Sequence, residues 1–508
     1  MRASLVAAVL AARVLAETVA ITLVSGNTLS RTSPTYASWN IDPSCNRGFH
    51  HIDFSNPNLL AAAVGLHPSR LRFGGSGADG LTYGLSPGSP ECANVRPVGC
   101  DYVTPGCLNA TTWDALFTLA NASRTDFIFG VSIGLADACA QGPAYVWNAS
   151  NAAVLLEYLR VHNQAVWGFE VGNEVNNNGG APCNLTAAQQ AKAITAFAMA
   201  VQAQLPRAVI VGPDTGGRYP ETWLTALLPL LRPRQLYGVT HHVYNGVNRA
   251  NFNSAARLDN SLPEIAWYTN IVRTLAPSSE IWSGENGPTG GGDDGTCGAD
   301  TVCGTYASSL WYSDDMAQRA KHWFVQYQRQ DLFGGAYGLT NSLTGAMALQ
   351  HDDALSIRPD YWVAFLWKRT LGTFVLNASS SSADVRAYAF RGAPPSDYAA
   401  TTYCGSNGDA PQLLLLHLGN VTSASAAVPS VDGYPNIASW TLAPTATGGP
   451  FGTDATLNGG DPLPATIDVR VTNPASFLSM IPRPATIGVS SAALTLPPLS
   501  ISFVCYFQ

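Results

Sequence analysis

The segment Val166-Trp-Gly-Phe-Glu-Val-Gly-Asn-Glu-Val175 decides how the rest of the chain is interpreted. Its β-branched and aromatic residues predict a buried strand, which Gly172-Asn173-Glu174 would end with an amide beside a carboxyl. In a barrel of parallel strands, catalytic residues lie at the carboxyl ends of the strands. A second short apolar run, Glu280-Ile-Trp-Ser-Gly-Glu285, also ends on a glutamate. We therefore expect the fold to bring these two glutamates together.

Short β-rich runs alternate with helical patterns from about residue 35 to residue 372. Helices are expected at Ala187–Gln204 and Tyr312–Gln330, which have helical spacing of apolar residues or few helix breakers. Eight strand–helix units predict an α/β fold, a (β/α)8 TIM barrel, with a doubly wound open sheet as the alternative. The predicted strands are Tyr36–Ile41, Leu71–Phe73, Phe127–Ile133, Val166–Gly172, Val209–Gly212, Gly238–Tyr244, Ile281–Gly284 and Gly335–Leu339.

The composition changes after about residue 373, where Ser, Thr, Ala, Gly and Pro dominate and helical periodicity disappears. Short strands such as Gln412–His417 and Ser500–Phe507 predict a C-terminal antiparallel β-sandwich domain. The segment Thr18–Leu29 also has a strand pattern and could join it. We therefore assign residues 35–372 to the catalytic barrel and residues 21–34 with 373–508 to the sandwich.

The charge of the chain argues against nucleic acid as a partner. Charged residues make up 12% of the 508 residues, lysine occurs three times, and the net charge is −7. Such a chain has no cationic surface that could release the counterions of a polyanion.

The N-terminal residues predict a secreted protein. Residues 1–20 resemble a signal peptide, with a buried N-terminal helix as the alternative. No later stretch is apolar over the ~20 residues that a transmembrane helix needs. Six Asn-x-Ser/Thr sites agree with the secretory route, and we expect an extracellular protein, with the lysosome or vacuole as alternative. These glycosylation candidates are Asn109, Asn121, Asn148, Asn184, Asn377 and Asn420.

Ten cysteines, an even number, are consistent with disulfides rather than zinc, because they form no paired Cys-x-x-Cys sets. Cys297 and Cys303 are close enough to join one loop, and Cys404 and Cys505 flank the C-terminal region. The pairing of the other six cannot be deduced from the sequence. These are Cys45, Cys92, Cys100, Cys107, Cys139 and Cys183.

Glu174 and Glu285 end the fourth and seventh predicted strands, so they would share one rim of the barrel. Two carboxyls about 5–5.5 Å apart are what a retaining glycosidase needs. The acid/base of such a pair should have a pKa above that of a free glutamate. Glu170 lies four residues before Glu174, nearer the middle of the barrel, and we expect a structural role for it.

Neighbouring residues fit the same chemistry. Asn173 can offer its amide to a sugar hydroxyl, and Tyr244 could hydrogen-bond the carboxylate of strand seven. Period-2 alternation places His242 on the same face as Tyr244, although a pair of core or rim aromatic side chains is the alternative. Arg72 is expected to pair with carboxylates in the interior.

The run Thr289-Gly290-Gly291-Gly292 follows Glu285 and offers backbone N–H groups to an anionic substituent, although three glycines are more often simply a flexible loop. The sequence contains no phosphate-binding Gly-x-x-x-x-Gly-Lys loop, no His-Glu-x-x-His and no Gly-x-Ser-x-Gly. We therefore expect a hydrolase that uses neither a metal nor a cofactor.

Beside the Gly-Asn-Glu and the second glutamate, four further segments carry a family likeness. They are Leu71–Ser76; Val211–Thr215 with Val239–His242; Gly335–Leu339; and the long Arg358–Gly372. Together they resemble glycoside hydrolase family 79, the heparanase and β-glucuronidase family of clan A. The likeness is clear over roughly residues 25–375 and fainter near the C-terminus.

The resemblance implies that Glu174 is the acid/base and Glu285 the nucleophile. It implies a sugar subsite formed by Asp42, Ser76, Asn173 and Tyr337. It also implies that the backbone of Gly291 and Gly292 binds a uronate carboxylate, and that a disulfide like Cys404–Cys505 closes a sandwich built from both termini.

The function expected is therefore a secreted retaining β-glucuronidase that removes glucuronate or 4-O-methylglucuronate from a glycan. The scarcity of lysine favours a weakly charged glycan, such as an arabinogalactan, over heparan sulfate. The alternatives are a clan A exoglycosidase for a neutral sugar and a catalytically silent carbohydrate-binding protein. An intact glutamate pair argues against the silent protein, because binding alone does not need both carboxyls.

Overall fold

The computed structural model describes most of the chain. The described residues are 17–24, 28–42, 51–86, 89, 92, 106–177, 185–290, 298–343, 348–397, 403–404, 409–460, 462–470, 483–487 and 493–508. The predicted signal peptide therefore lies mainly outside them and stays a prediction.

Eight parallel strands close into a barrel, which confirms the predicted α/β class and excludes the open sheet. In chain order they are Ala37–Ile41, Arg70–Phe73, Asp126–Val131, Gly168–Val171, Val209–Thr215, Gly238–Tyr244, Glu280–Gly287 and Phe324–Arg329. We number them barrel strands 1 to 8. The barrel closes where strand 8 pairs with strand 1, with Tyr327 opposite Ala37.

Helices surround the barrel, and side-chain caps define where several of them begin. Asn56 caps the first helix, and Thr186 forms a capping box with Gln189 at the helix that follows strand 4. The described helices are Pro57–Gly65, Ala110–Ala122, Leu135–Gln141, Ser150–Val161, Ala187–Gln204, Glu221–Leu227, Ala255–Leu258, Leu262–Leu275, Tyr306–Lys321 and Pro359–Thr370.

The sequence prediction was wrong at the eighth strand. The helix that was predicted to extend to Gln330 ends at Lys321. Trp323 has φ +73°, and strand 8 begins at Phe324. Gly335–Leu339, predicted as the strand, is a loop. The reason is that strand 8 buries polar side chains inside the barrel, such as Gln326, which accepts a hydrogen bond from Arg70. Its pattern therefore lacks the apolar alternation of a half-buried strand.

A second sheet of eleven strands combines both ends of the described chain. Its strands are Glu17–Val24, Ser30–Arg31, Phe374–Ser380, Val385–Arg391, Pro411–His417, Ala424–Ala427, Asn436–Pro444, Ala455–Leu457, Ala485–Ile487, Ala493–Leu496 and Ile501–Phe507. The predicted contribution of the N-terminal strand is confirmed, because Glu17–Val24 pairs with Phe374–Ser380. A two-layered sandwich and the domain boundaries stay predictions.

The second sheet packs against the barrel through one face. Leu414 and Phe503 belong to the hydrophobic cluster of the barrel and its helices, whereas Leu413 and Val504 belong to a separate cluster. Successive side chains of a strand point to opposite faces, so both faces of this sheet are covered. Three short strands, Thr340–Ser342, Leu355–Ile357 and Thr466–Ile467, form a small sheet, and Leu81–Gly84 pairs with Gly106–Asn109.

Two disulfides are described completely. Cys404–Cys505 joins the strand Ile501–Phe507 to the connection between Val385–Arg391 and Pro411–His417, and Cys92–Cys107 attaches Cys92 to the strand Gly106–Asn109. Cys139 and Cys303 are also disulfide-bonded. Cys45, Cys100, Cys183 and Cys297 lie outside the described residues, so the pairing expected for Cys297 is untested. Within the described part of the chain, no helix is long and apolar enough to cross a bilayer.

Candidate active site

Strand 4 delivers Asn173 and Glu174 to the rim through a sharp turn. Gly172 and Glu174 both have positive φ, +78° and +44°, and a Cβ on Gly172 would lie 2.6 Å from a Val175 methyl. The N–H of Asn173 donates to both carboxylate oxygens of Asp79, at 3.1 and 3.0 Å. The turn therefore directs both side chains over the mouth of the barrel.

Strand 7 brings Glu285 to the same rim. An oxygen of Glu285 and an oxygen of Glu174 lie within 4.8 Å of each other. Arg72 donates to Glu285 Oε2 at 3.0 Å, and the Tyr244 hydroxyl donates to Oε1. The Glu285 side chain is therefore held by two donors at the barrel mouth, and the residue is only 6% exposed.

Arg72 is the centre of the ion network below the rim. It donates to Glu170 at 2.6 Å, to Asn173 at 2.8 Å and also to Asp214. The expected pairing of Arg72 with interior carboxylates is confirmed. Glu170 is buried against this guanidinium, away from the rim, as expected for a structural residue.

His242 bridges two carboxylates. Its Nδ1 lies 2.9 Å from Glu174 Oε1, and its Nε2 lies 2.5 Å from Asp214 Oδ1. Asp214 was not singled out from the sequence, although Val211–Thr215 had been noted for its family likeness. The signal that could have found it is its position near the carboxyl end of strand 5.

The rim encloses a cavity of about 320 Å³. It brings together eight of the ten predicted catalytic and substrate-binding residues, whereas Gly291 and Gly292 lie outside the described residues. Its lining is Asp42, Ser76, Asn173, Glu174, Asn177, Gly217, Arg218, His242, Val243, Tyr244, Glu285, Gly290 and Tyr337. Sequence reasoning missed Asn177, Gly217, Arg218 and Val243.

Asp42 reaches this cavity because glycine makes room for it. A Cβ on Gly75, which has φ +145°, would collide with the Asp42 carboxylate. Gln330 donates to Asp42 at 2.7 Å from the end of strand 8. On the same side, Asn173 donates to Ser76 at 3.3 Å. These contacts hold the side chains of Asp42, Ser76 and Asn173 in the lining of the cavity.

The pKa values of the two glutamates differ in direction. Burial raises the pKa of Glu285 to about 7, although His242 and Arg72 act against it. Burial would also raise the pKa of Glu174, but the hydrogen bond and charge of His242 outweigh burial and lower it. The expectation of a raised pKa for Glu174 was therefore wrong, because sequence could not place His242 against its carboxylate.

The side chains of Glu174, His242 and Glu285 are close enough to be considered as metal ligands. Both nitrogens of His242, however, already face carboxylate oxygens. A histidine that donates from both nitrogens has no lone pair for a metal. This group therefore fits proton chemistry better than metal binding.

A family model, "Glycosyl hydrolase family 79, N-terminal domain", matches residues 33–317, more than half of the chain. The chain belongs to glycosyl hydrolase family 79. This family 79 protein is a glycoside hydrolase, and the resemblance noted from the sequence is confirmed.

Curated relatives of this family 79 enzyme are about one quarter identical to it over the aligned residues. Heparanase-like protein 1 of Arabidopsis thaliana is 25% identical, covering 74% of this chain and 67% of the relative. Heparanase of Mus musculus is 25% identical, covering 94% of this chain and 90% of the relative. Baicalin-beta-D-glucuronidase of Scutellaria baicalensis is 25% identical, covering 72% and 73%.

Solved structures show the same fold. A 4-O-alpha-L-rhamnosyl-beta-D-glucuronidase from Fusarium oxysporum 12S has a TM-score of 0.64 at 14% identity, covering 96% of this chain and all of that one. A family 51 arabinofuranosidase from Xanthomonas axonopodis pv. citri has a TM-score of 0.62 at 13% identity, covering 96% and 99%. At such identities the likeness is one of architecture.

Proposed function

We propose that this enzyme is a secreted retaining β-glucuronidase that releases terminal glucuronate or its 4-O-methyl ether from a weakly charged glycan. The observation that carries the retaining mechanism is the approach of the two carboxyls, whose oxygens lie within 4.8 Å. A separation near 5 Å suits direct attack by one carboxylate, whereas an inverting enzyme needs about 6.5–9.5 Å for a water.

Glu285 acts as the nucleophile in this proposal. Arg72 and Tyr244 both donate to its carboxylate, which orients the oxygens and favours the ionised form. Attack on the anomeric carbon forms a glycosyl–enzyme ester while the glycosidic bond breaks.

Glu174 acts as the acid/base. It gives the leaving oxygen a proton in the first step and takes one from water in the second. Asn177 donates to its Oε2 at 3.5 Å, and His242 contacts its Oε1. One oxygen is thus held by the barrel interior, while the other faces the cavity wall.

The choice of sugar rests on the name of one curated relative, Baicalin-beta-D-glucuronidase of Scutellaria baicalensis. The uronate carboxylate would be bound by the backbone of Gly291 and Gly292, as the family resemblance implies. Secretion rests on the N-terminal sequence and on the disulfides.

A neutral sugar is the second candidate. The described cavity lining contains three carboxylates, of Asp42, Glu174 and Glu285, and one arginine, Arg218. Three carboxylates offer hydroxyl groups several acceptors and repel an anionic substituent. This composition favours a neutral exoglycosidase such as a xylosidase or glucosidase.

A panel of 4-nitrophenyl glycosides separates the two candidates. It contains the β-glucuronide and its 4-O-methyl ether, which both have a C6 carboxylate, the β-glucoside, which has a C6 hydroxymethyl group, and the β-xyloside, which has no C6. For a uronate-specific enzyme, we expect kcat/KM to favour the glucuronide over the glucoside by about 10²-fold, as charge-assisted hydrogen bonds to the carboxylate would give. Equal or better cleavage of the glucoside would refute the glucuronidase and support the neutral exoglycosidase.

The retaining mechanism has an independent test. Proton NMR of the reaction in progress identifies the anomer that is released first. A β-glycoside should give the β-anomer, followed by slow mutarotation. Initial release of the α-anomer would contradict the proposed role of Glu285 whatever the sugar.

A further inference from the structure

His242 lies between two carboxylates that both need a donor. Glu174 Oε1 is 2.9 Å from Nδ1, and Asp214 Oδ1 is 2.5 Å from Nε2. Ionised carboxylates only accept hydrogen bonds, so both contacts require that the ring carry two protons. The ring is 1% exposed. The imidazolium form is therefore the one that satisfies the geometry.

The carboxylates around His242 lead to the same protonation, whereas the Arg72 cation acts against it. Glu285 Oε2 lies 3.7 Å from Nδ1, and Arg72 reaches this cluster through Asp214 and Glu285. Burial would lower the pKa of His242, but Asp214 and Glu285 raise it well above its usual value.

Asp214 is itself held in an unusual backbone conformation, with φ +58°. Its N–H donates to Thr240 Oγ1 at 2.9 Å, and its carbonyl accepts the N–H of Glu174 at 2.8 Å. A non-glycine residue keeps such a conformation only when its surroundings determine it. The same residue therefore fixes the backbone of Glu174 and the ring that contacts its side chain.

We propose that Asp214 is a positioning residue that retains, on the His242–Glu174 pair, the proton that Glu174 delivers to the leaving group. This inference rests on the acid/base role proposed above for Glu174. Asp214 stays ionised throughout and does not touch the substrate. Its function is to increase the proton affinity of a histidine whose burial favours the neutral form.

The proton balance closes over the two steps. In the first step the glycosidic bond breaks, a Glu285 oxygen bonds to the anomeric carbon, and the pair gives one proton to the leaving oxygen. In the second step a water oxygen bonds to that carbon, the ester bond to Glu285 breaks, and the water proton returns to the pair.

Asp214→Asn tests this directly. The amide keeps an acceptor for Nε2–H but removes a negative charge 2.5 Å from that nitrogen. Loss of a nearby anion weakens proton binding, so the pair should lose its proton at a lower pH. We expect the basic limb of the kcat/KM profile to move down by on the order of one to three pH units.

Leaving groups supply the second readout. A glycoside of an unactivated phenol needs a proton on the departing oxygen, whereas a dinitrophenyl glycoside does not. At neutral pH, Asp214→Asn should lower kcat/KM on the unactivated substrate by about 10²-fold and change the activated one little. The loss should shrink as the pH falls, because the pair regains its proton.

Two matched variants interpret the result. Glu170→Gln also removes a buried carboxylate from Arg72, but Glu170 makes no hydrogen bond to His242, so the basic limb should shift much less. Glu174→Gln removes the proposed acid, so it shows how strongly kcat/KM depends on the leaving group when no acid is present. If Glu174→Gln shows no such dependence, the proposed function fails. If it does and Asp214→Asn slows both substrates equally with an unmoved limb, only this inference is refuted.

A measurement on the unmutated enzyme covers the case in which Asp214→Asn does not fold. Nitrogen-15 NMR of the histidine-labelled protein distinguishes imidazolium from neutral imidazole, and His242→Gln assigns the signal. We expect His242 to remain doubly protonated from pH 6 to pH 8. A neutral ring in this range would overturn the proposal.

Discussion

Gly216 is the position at which a single methyl group should disable the proposed acid/base. A Cβ at Gly216 would lie 2.5 Å from both Glu174 Oε2 and Asn177 Nδ2. Ordinary contacts begin near 3.5 Å, so Gly216→Ala must displace the Glu174 carboxyl by about 1 Å. Misplacement by about 1 Å can cost 10²-fold in rate, or roughly 2.7 kcal/mol of transition-state stabilisation.

The assay is kcat/KM on an unactivated aryl glycoside, with thermal melting to confirm the fold. Gly216 does not have a positive φ, so alanine adds no backbone strain. We expect about a 10²-fold loss with a nearly unchanged melting temperature.

A double variant isolates the cause. Glu174→Ala removes the carboxyl that the new methyl group would displace. Gly216→Ala should therefore cost almost nothing further in that background, which is the mark of two coupled positions. A full 10²-fold loss in both backgrounds, or no loss in the unmutated enzyme, would refute the reasoning.

Four further predictions concern Glu285 and one buried ion pair. Glu285→Gln should lower turnover by more than about 10⁴-fold while the protein remains folded; ordinary activity would contradict the nucleophile assignment. Because the pKa of Glu285 is about 7 and the nucleophile must be ionised, kcat/KM should fall as the pH drops below about 7. Tyr244→Phe, which removes a donor to the ionised form, should move this acid limb to higher pH; an unmoved limb would exclude that role. Glu264→Gln weakens a fully buried pair with Arg319 and should lower the free energy of unfolding in urea by about 3 kcal/mol, whereas Glu157→Gln at an exposed pair should change it little.

The local sequence pattern was sufficient to predict most of the barrel strands. Strands 4 and 7 are short apolar runs that end in glycine-rich turns, and such turns are visible without any tertiary information. Because parallel barrel strands all present their carboxyl ends at one rim, the meeting of Glu174 and Glu285 followed from strand order alone.

Strand 8 shows where local pattern fails. Gln326 and Gln328 look like the polar face of a helix, yet both are buried in the barrel. Inside the closed barrel, the Gln326 side chain accepts a hydrogen bond from Arg70 on strand 2. A pattern rule that assigns polar residues to the surface therefore extends the preceding helix too far.

The sequence by itself determined the barrel, its two glutamates and the family to which the chain belongs. Only the tertiary structure decided how protons are distributed among the side chains of the active site. Asp214 lies 28 residues from His242 and the Glu174 carboxylate 68 residues from it, and they meet at one imidazole. A pKa depends on charges within a few ångströms, whereas a sequence pattern reports only neighbours along the chain. That difference is why the pKa of Glu174 was expected to be raised and is instead lowered.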